Sequence, residues 1–540
     1  YQRRVRGELI MTSQHESALG TSKLFQLDNK NLQALKDANM TLEEKQKIKE
    51  DILANQRAAV FTIDQLLTES TTSLVTGLTI FQVFMFAVRV LFRWITLQIA
   101  TENFSAAVLP FLSFSMAIEL INNQTAHAIV CQSLTKTTKF LLNSQKKEAS
   151  DQFVATIITI LIYGVLQSII FGAFTETFFT IFGINSVFIP SFKLQMTFSP
   201  VLSGFSHGFM TLYRLENRRL LIFSKTLLQL VLQLTTFCVI AFASQQPIAL
   251  GAGIVAGDLL GLVWSAIILS GKSLWHIPLF NLVEIPFQQL CARIINRDTY
   301  LDMVHCIFGS LPAIFAKISP IVTFLIVSQS VLSKAANGGY LCILFFYMGE
   351  TAKPYLYLSY NTFVLFAVNA QKARQKSILA ASLVWVLLVS GVLAIIGVVC
   401  WSQILGFFTS TTLLAKGQTI STLISNGQTI ALYGGITGVL QNLSDIAVSI
   451  MVAKEDYIAL IIVFVVQVGL AIVSVAVGGQ DNIIIGDNFA LCLLLCEGAV
   501  AIGTVVFIIQ VMVQKIDKNE KKDIKVAQKK GIDEILAKAE

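Results

Sequence analysis

Apolar residues fall in trains of about twenty, broken by short polar stretches, over two long blocks of the chain, 60–272 and 302–514. Twenty residues in a helix rise about 30 Å, the thickness of a bilayer's hydrocarbon core. The pattern predicts spanning helices near 70–95, 104–130, 152–174, 189–211, 219–243 and 247–270. A second series falls near 304–328, 337–367, 378–400, 420–447, 456–478 and 488–513. Spans two, four and ten are the richest in Ser, Thr, Asn and Gln. Lipid cannot satisfy such groups, so these three are expected to face protein or a wet cavity.

The flanks read differently. Residues 1–59 are polar, with a helix expected from Leu42 to Arg57 behind a capping box of Thr41 and Glu44. The chain opens at Tyr1 without a methionine, which reads as a truncated frame with Met11 as a candidate start. Between the blocks, 273–301 carries Trp275, Phe280 and Phe287 among few charges, the composition of an amphipathic linker lying on the inner leaflet. Residues 515–540 form a lysine-rich tail. The expected organisation is 1–59 cytosolic, 60–272 N-lobe, 273–301 linker, 302–514 C-lobe and 515–540 cytosolic tail.

Composition narrows the class. Charged residues make up 14% of the chain against 54% hydrophobic, where a soluble globular chain carries about 25% charge. The expected fold class is all-α integral membrane, twelve helices as two parallel six-helix repeats, in the plasma membrane or an internal one. The net charge of +7 sits in loops and tails. Loops on one side hold Lys136, Lys139, Lys146 and Lys147, then Arg214, Arg218 and Arg219, then Lys272, Arg293 and Arg297. Lys372, Arg374, Lys376 and Lys454 continue that side. By the positive-inside rule both termini are cytosolic, and the charge bears on orientation, with no nucleic acid expected as partner. The eight cysteines show no disulfide or metal spacing; Cys492 and Cys496 read as packing residues. Paired metal ligands, a nucleophile–base cluster and a phosphate-binding glycine loop are all missing, so an enzyme is not expected.

The two blocks look like copies of one unit. After the third span of each come Glu176-Thr-Phe-Phe-Thr-Ile-Phe-Gly and Gln403-Ile-Leu-Gly-Phe-Phe-Thr. Each then enters a Gly-rich or Ser-rich span: Pro200-Val-Leu-Ser-Gly-Phe-Ser-His-Gly in one, Tyr433-Gly-Gly-Ile-Thr-Gly-Val-Leu-Gln-Asn in the other. Six spans per copy is an even number, so both copies start on the same side. Such parallel repeats place a substrate between them.

This plan resembles the multidrug and toxin extrusion (MATE) family, within the superfamily that includes lipid-precursor flippases. The resemblance covers most of 60–514. Asn103-Phe-Ser-Ala-Ala-Val looks like the family's entry to its second helix, and Gly309-Ser-Leu-Pro-Ala like the opening of its seventh. Lys353-Pro-Tyr-Leu-Tyr-Leu-Ser is similar to its eighth-helix stretch, and Ala249-Leu-Gly-Ala-Gly to the start of its sixth. The resemblance implies alternating-access export of organic cations or xenobiotics by a monomer, coupled to H+ or Na+, with a small-molecule substrate, the lipid bilayer as surroundings and no other cofactor. The family's usual acids are absent here. Arg93 stands where many members place a first-helix aspartate. The seventh-helix glutamate position, counted from Pro312, falls at Pro320 with Lys317 nearby. That departure motivates an alternative: a flippase-like transporter of an anionic or lipid-linked substrate.

Charges inside spans are costly, at least about 2.5–3.5 kcal/mol each on insertion scales, so each is a candidate site. Asp258 lies between Gly257 and Gly261 in a span with no other charge; it is a candidate to bind a cation or take a proton, or else a partner for a Ser or Thr on a neighbouring helix. Glu119 is expected to pair with Arg93 or Arg89. Glu350 and Lys353 share a helical face one turn apart. Pro354 frees a carbonyl beside them, which suits a gating helix. Lys317 is a candidate for coupling or anion recognition. Asp445 lies nearer the cytosolic end, and Glu497, in a small-residue stretch, reads as helix-packing glue.

Overall fold

A computed structural model describes residues 71–105, 107–142, 146–215, 219–270, 297–334, 338–351, 372–400, 420–478, 483 and 488–513. The N-terminal segment, most of the linker, Lys353, Pro354 and the C-terminal tail lie outside the described residues, so the expectations placed on them stand as expectations.

Among the described residues the fold is a bundle of α-helices. The first half contains α1 (Thr71–Phe104), α2 (Val108–Leu142), α3 (Lys146–Ala173), the short α4 (Thr175–Ile181), α5 (Ile189–Leu215), α6 (Arg219–Ser244) and α7 (Ile248–Ser270). The second contains α8 (Arg297–Lys334), α9 (Gly338–Thr351), α10 (Lys372–Val399), α11 (Ile420–Ala453), α12 (Tyr457–Gly478) and α13 (Asn488–Val513). Nine described stretches are long and apolar enough to cross a membrane. Their outward faces are largely apolar: Val239, Val399, Ile458, Val477 and Ile502 are all exposed. A face of that kind needs hydrocarbon as its solvent, and the chain is a multi-pass integral membrane protein.

Helices α2 and α5 do not meet the apolar criterion, for the reason their composition suggested. Ser113, Ser115, Asn122, Gln124, Thr125 and Gln132 of α2 are buried inside the bundle. Ser115 donates to Gln195 of α5 at 2.7 Å, and Gln167 of α3 donates to Thr125 at 2.9 Å. These polar side chains are turned into the bundle and away from its outer face.

Several helices outrun their apolar stretch. The basic residues Lys136 and Lys146, expected in a loop, lie on α2 and α3. α8 begins at Arg297, inside the expected linker, and its 38 residues rise roughly 57 Å. Backbone hydrogen bonding continues past the hydrocarbon edge wherever no breaker intervenes, so apolarity marks the membrane and not the helix end.

The same helix pairings recur in both halves. α7 packs on α5 and α6, α3 on α5, and α1 on α6. Correspondingly, α13 packs on α11 and α12, α10 on α11, and α8 on α12. Between the halves, α8 packs against α2 and α3, α9 against α2, and α10 against α1. Near one end of α8, Tyr163 donates to the Ile307 carbonyl at 3.2 Å, and Gln132 of α2 donates to Tyr457 at 3.3 Å. Near the other end, Gln329 donates to the Ile181 carbonyl at 3.2 Å. The halves are joined at both ends of α8, and a pocket lies between.

Candidate functional site

The middle of α8 carries Lys317, Ser319 and Pro320. Proline cannot donate to the carbonyl one turn back, so Pro320 frees Ala316, whose oxygen takes the Ser319 hydroxyl at 3.0 Å. The same hydroxyl lies 2.6 Å from Gln467 Oε1 on α12. The interruption in α8 thereby faces α12 and the interior.

Around it are two adjoining pockets, each with about 480 Å³ of open space. They share Leu120 of α2, Pro320 and Ile321 of α8, Gln441 of α11, Gln467 of α12 and Glu497 of α13. The charged lining residues are Lys317, Asp445 and Glu497. Lys317 Nζ donates to Asp445 Oδ1 at 3.0 Å and to Ser449 Oγ at 3.3 Å. The Lys317 side chain is 2% exposed and that of Asp445 18%. A buried ammonium persists only when compensated in this way. Glu497 accepts from Gln467 Nε2 at 2.5 Å. Four further lining oxygens are buried and have no hydrogen-bond partner among the described residues: Gln124 Oε1, Gln441 Oε1, Ser444 Oγ and Thr323 Oγ1. Such atoms are costly to leave unmet, so the pocket suits a polar guest that brings donors.

A second polar cluster lies within the first half. Asp258, at mid-α7, is buried. Ser199 of α5 donates to its Oδ2, and Gln229 Nε2 of α6 donates to its Oδ1 at 2.7 Å. Lys225 of α6 and Glu119 of α2 are the charged groups within electrostatic reach. Glu119 Oε1 in turn stands 3.7 Å from Arg93 Nη2 of α1. Glycine makes the approach possible. A Cβ at Gly257 would lie 2.8 Å from the Gln229 carbonyl, and one at Gly251 only 2.1 Å from the Ser191 carbonyl.

The sequence-predicted residues therefore divide into three groups. Asp258, Glu119 and Arg93 gather in the first half. Lys317 lies in the central pocket, paired with Asp445 across 128 positions of sequence. Nothing is described for the side chain of Glu350, and Lys353 and Pro354 lie outside the described residues. Glu497, expected to be packing glue, lines the pocket instead, because α13 turns that face toward α8 and α12. Gln124, Gln441 and Gln467 also went unmarked. For Gln467 the signal was available: a Gln with an acid 29 residues on in one repeat, Gln229 and Asp258, and one with an acid 30 residues on in the other, Gln467 and Glu497.

No protein-family model matches the sequence, and no curated protein matches it significantly. Solved structures do match the fold. A MOP superfamily transporter from Pyrococcus furiosus, described as having a binding pocket of reversed polarity that suggests a different function, superposes with a TM-score of 0.64. Its identity is 15%, over 83% of this chain and 98% of that one. A multidrug resistance MATE family transporter of the same superfamily in its outward-facing conformation gives 0.61 at 13% identity, over 86% and 98%. An inward-facing MATE family transporter gives 0.55 at 14% identity, over 76% and 92%. The chain has the MATE fold.

Proposed function

We propose that this protein is a membrane transporter, not an enzyme, that exports organic cations or xenobiotics by alternating access in exchange for protons or sodium. The observation that carries the reading is the central pocket. Its described charged lining is one lysine and two carboxylates, and the lysine is held by one of them. A positively charged guest with N–H groups meets the second carboxylate and the four bare oxygens together.

The anionic alternative rested on Arg93 and Lys317. Arg93 faces Glu119 and Lys317 faces Asp445, which leaves less positive potential for a phosphate or carboxylate ligand than the bare residues suggested. Asp258, in its closed cluster, is the candidate coupling site of the first half.

The test is uptake into proteoliposomes of a fluorescent organic cation and a fluorescent organic anion, each with and without an imposed proton or sodium gradient. Gradient-driven movement of the cation is the expected result. Movement of the anion, with the cation excluded, would replace this reading with the flippase-like one. In the same assay Asp258→Asn is expected to alter the pH dependence of transport and change substrate affinity by less than about tenfold, a 1.4 kcal/mol difference. Unchanged transport and pH dependence in that variant would rule Asp258 out.

A further inference from the structure

The second half holds an acid in nearly the same register as Asp258. Asp258 falls at the middle of α7 (Ile248–Ser270) and accepts from Gln229, at the middle of α6 (Arg219–Ser244). Glu497 falls at the middle of α13 (Asn488–Val513) and accepts from Gln467, at the middle of α12 (Tyr457–Gly478). The bonds are alike, 2.7 Å and 2.5 Å from Gln Nε2 to a carboxylate oxygen. A serine completes each set. Ser199 donates to Asp258 directly, and Ser319 donates to Gln467 Oε1, one link further back. In both halves, then, the last helix presents a carboxylate to a glutamine on the helix before it.

One difference matters. Asp258 is enclosed among the helices of its own half, whereas Glu497 and Gln467 line the central pocket. Among the described residues the pocket also contains amide oxygens with no partner, Gln124 Oε1, where the residue is 9% exposed, and Gln441 Oε1. An ionised carboxylate only accepts, so it cannot serve another acceptor; a carboxylic acid has an O–H to give. The N–H of a bound cation could serve the same acceptors.

We propose that Glu497, held by Gln467, is the proton-binding carboxylate of the second half, the pocket-facing counterpart of Asp258, so that each half takes up one proton per transport cycle. This rests on the exchange reading above. The step is a simple protonation: one Glu497 oxygen accepts a proton, the charge on the carboxylate is lost, and the new O–H turns to a pocket acceptor. Binding of a donor-bearing substrate releases that proton. The ammonium of Lys317 in the same lining favours a proton over a second fixed metal cation, because a proton cancels the carboxylate without placing a bare charge beside it.

The titratable groups around Glu497 include Lys317 on α8 and Asp445 on α11, which share its pocket, and Cys496 beside it on its own helix. α2 contributes uncharged Gln124, α12 uncharged Gln467, and α9 Phe345, Phe346 and Gly349. Asp258 faces Lys225, Gln229, Ser199 and Glu119.

The experiment is an infrared titration of the carboxylic C=O stretch on purified protein in lipid, between about pH 4 and 9, for wild type, Glu497→Gln, Asp258→Asn and the double variant. The expected result is two buried carboxylic bands in the wild type, each removed by one substitution and both by the double variant. Glu497→Asp, which keeps a carboxyl, should shift its band without abolishing it. The titration needs no substrate, so it separates failure of the Glu497 assignment from failure of the organic-cation reading. In proteoliposomes, reversal-potential measurements should then show a twofold drop in protons moved per substrate for Glu497→Gln. Survival of both bands in Glu497→Gln, a Glu497 band that answers sodium and not pH, or an unchanged proton stoichiometry would each overturn the proposal.

Discussion

Asp258 and Glu497 are held by the same kind of partner in like positions of two similar half-bundles, yet their surroundings differ. α7 lies so close to α5 and α6 that glycine is required at the contact, with Gln229 and Ser191 backbone atoms occupying the space a side chain would need. α13 makes no such approach: a Cβ on Gly498, beside Glu497, would meet nothing within 4 Å. The first half closes around its acid, and the second leaves its acid beside a pocket. The two half-bundles present carboxylates in like positions, and packing density decides which one a ligand can reach. The same contrast runs through the ion pairs. Lys317 and Asp445 are 3.0 Å apart with side chains 2% and 18% exposed, whereas Arg93 and Glu119 are 3.7 Å apart with side chains 25% and 29% exposed.

Lys317→Met should give the largest change in stability. It removes the cation from beside Asp445 and leaves that carboxylate facing a low-dielectric interior, a situation that typically costs about 3–5 kcal/mol. Asp445 keeps some access to solvent, which places the expected loss toward the lower end. Thermal unfolding in detergent or lipid should show it, and Lys317→Met with Asp445→Asn should recover most of the loss. A single variant no less stable than wild type would mean that the pair does not hold α8 to α11.

Substitution of the glycines compares the packing of the halves directly. Gly257→Val puts methyl groups into the Gln229 carbonyl and Gln233, and over-packing of that kind costs about 1–3 kcal/mol. It should also separate Gln229 from Asp258 and so disturb coupling. Gly498→Ala meets open space, and helix propensity favours the alanine by up to about 1 kcal/mol. Melting curves should therefore move in opposite directions. A joint loss of similar size would show that α13 is packed as tightly as α7.

Much of the fold was legible because the bilayer imposes one requirement on every span: a continuous apolar stretch with its backbone bonded internally. Even the exceptions could be read, since the polar residues of α2 and α5 had to turn inward, away from lipid. Helix ends were not legible, because the start of α8 at Arg297 depends on backbone continuity and not on apolarity. Among site residues, Asp258 stood out as a lone acid between glycines, and the facing of Arg93 and Glu119 followed from opposite charges on neighbouring spans. The Lys317–Asp445 pair was hidden by 128 residues of intervening chain. Glu497 was hidden differently: its small neighbours suggested close packing, but small residues also leave room for a cavity. Only the repeated Gln-to-acid spacing distinguishes the two, and that signal requires both halves to be compared.

Arg93→Gln should have the smallest effect and is the sharpest check on the contrast between the ion pairs. At 3.7 Å, with both side chains more than a fifth exposed, the Arg93–Glu119 pair resembles a screened pair, and such pairs contribute about 0.2–1 kcal/mol. Glutamine keeps much of the side chain's length and polarity, so unfolding should shift little. Glu119, however, is one of the charges within reach of Asp258. Removing the arginine increases the negative potential at Asp258, so the pH profile of transport should move even though stability barely does. If Arg93→Gln destabilised the protein as much as Lys317→Met, the first half would depend on a buried charge network of its own. Asp258 would then be one member of that network instead of a carboxylate sealed by helix packing.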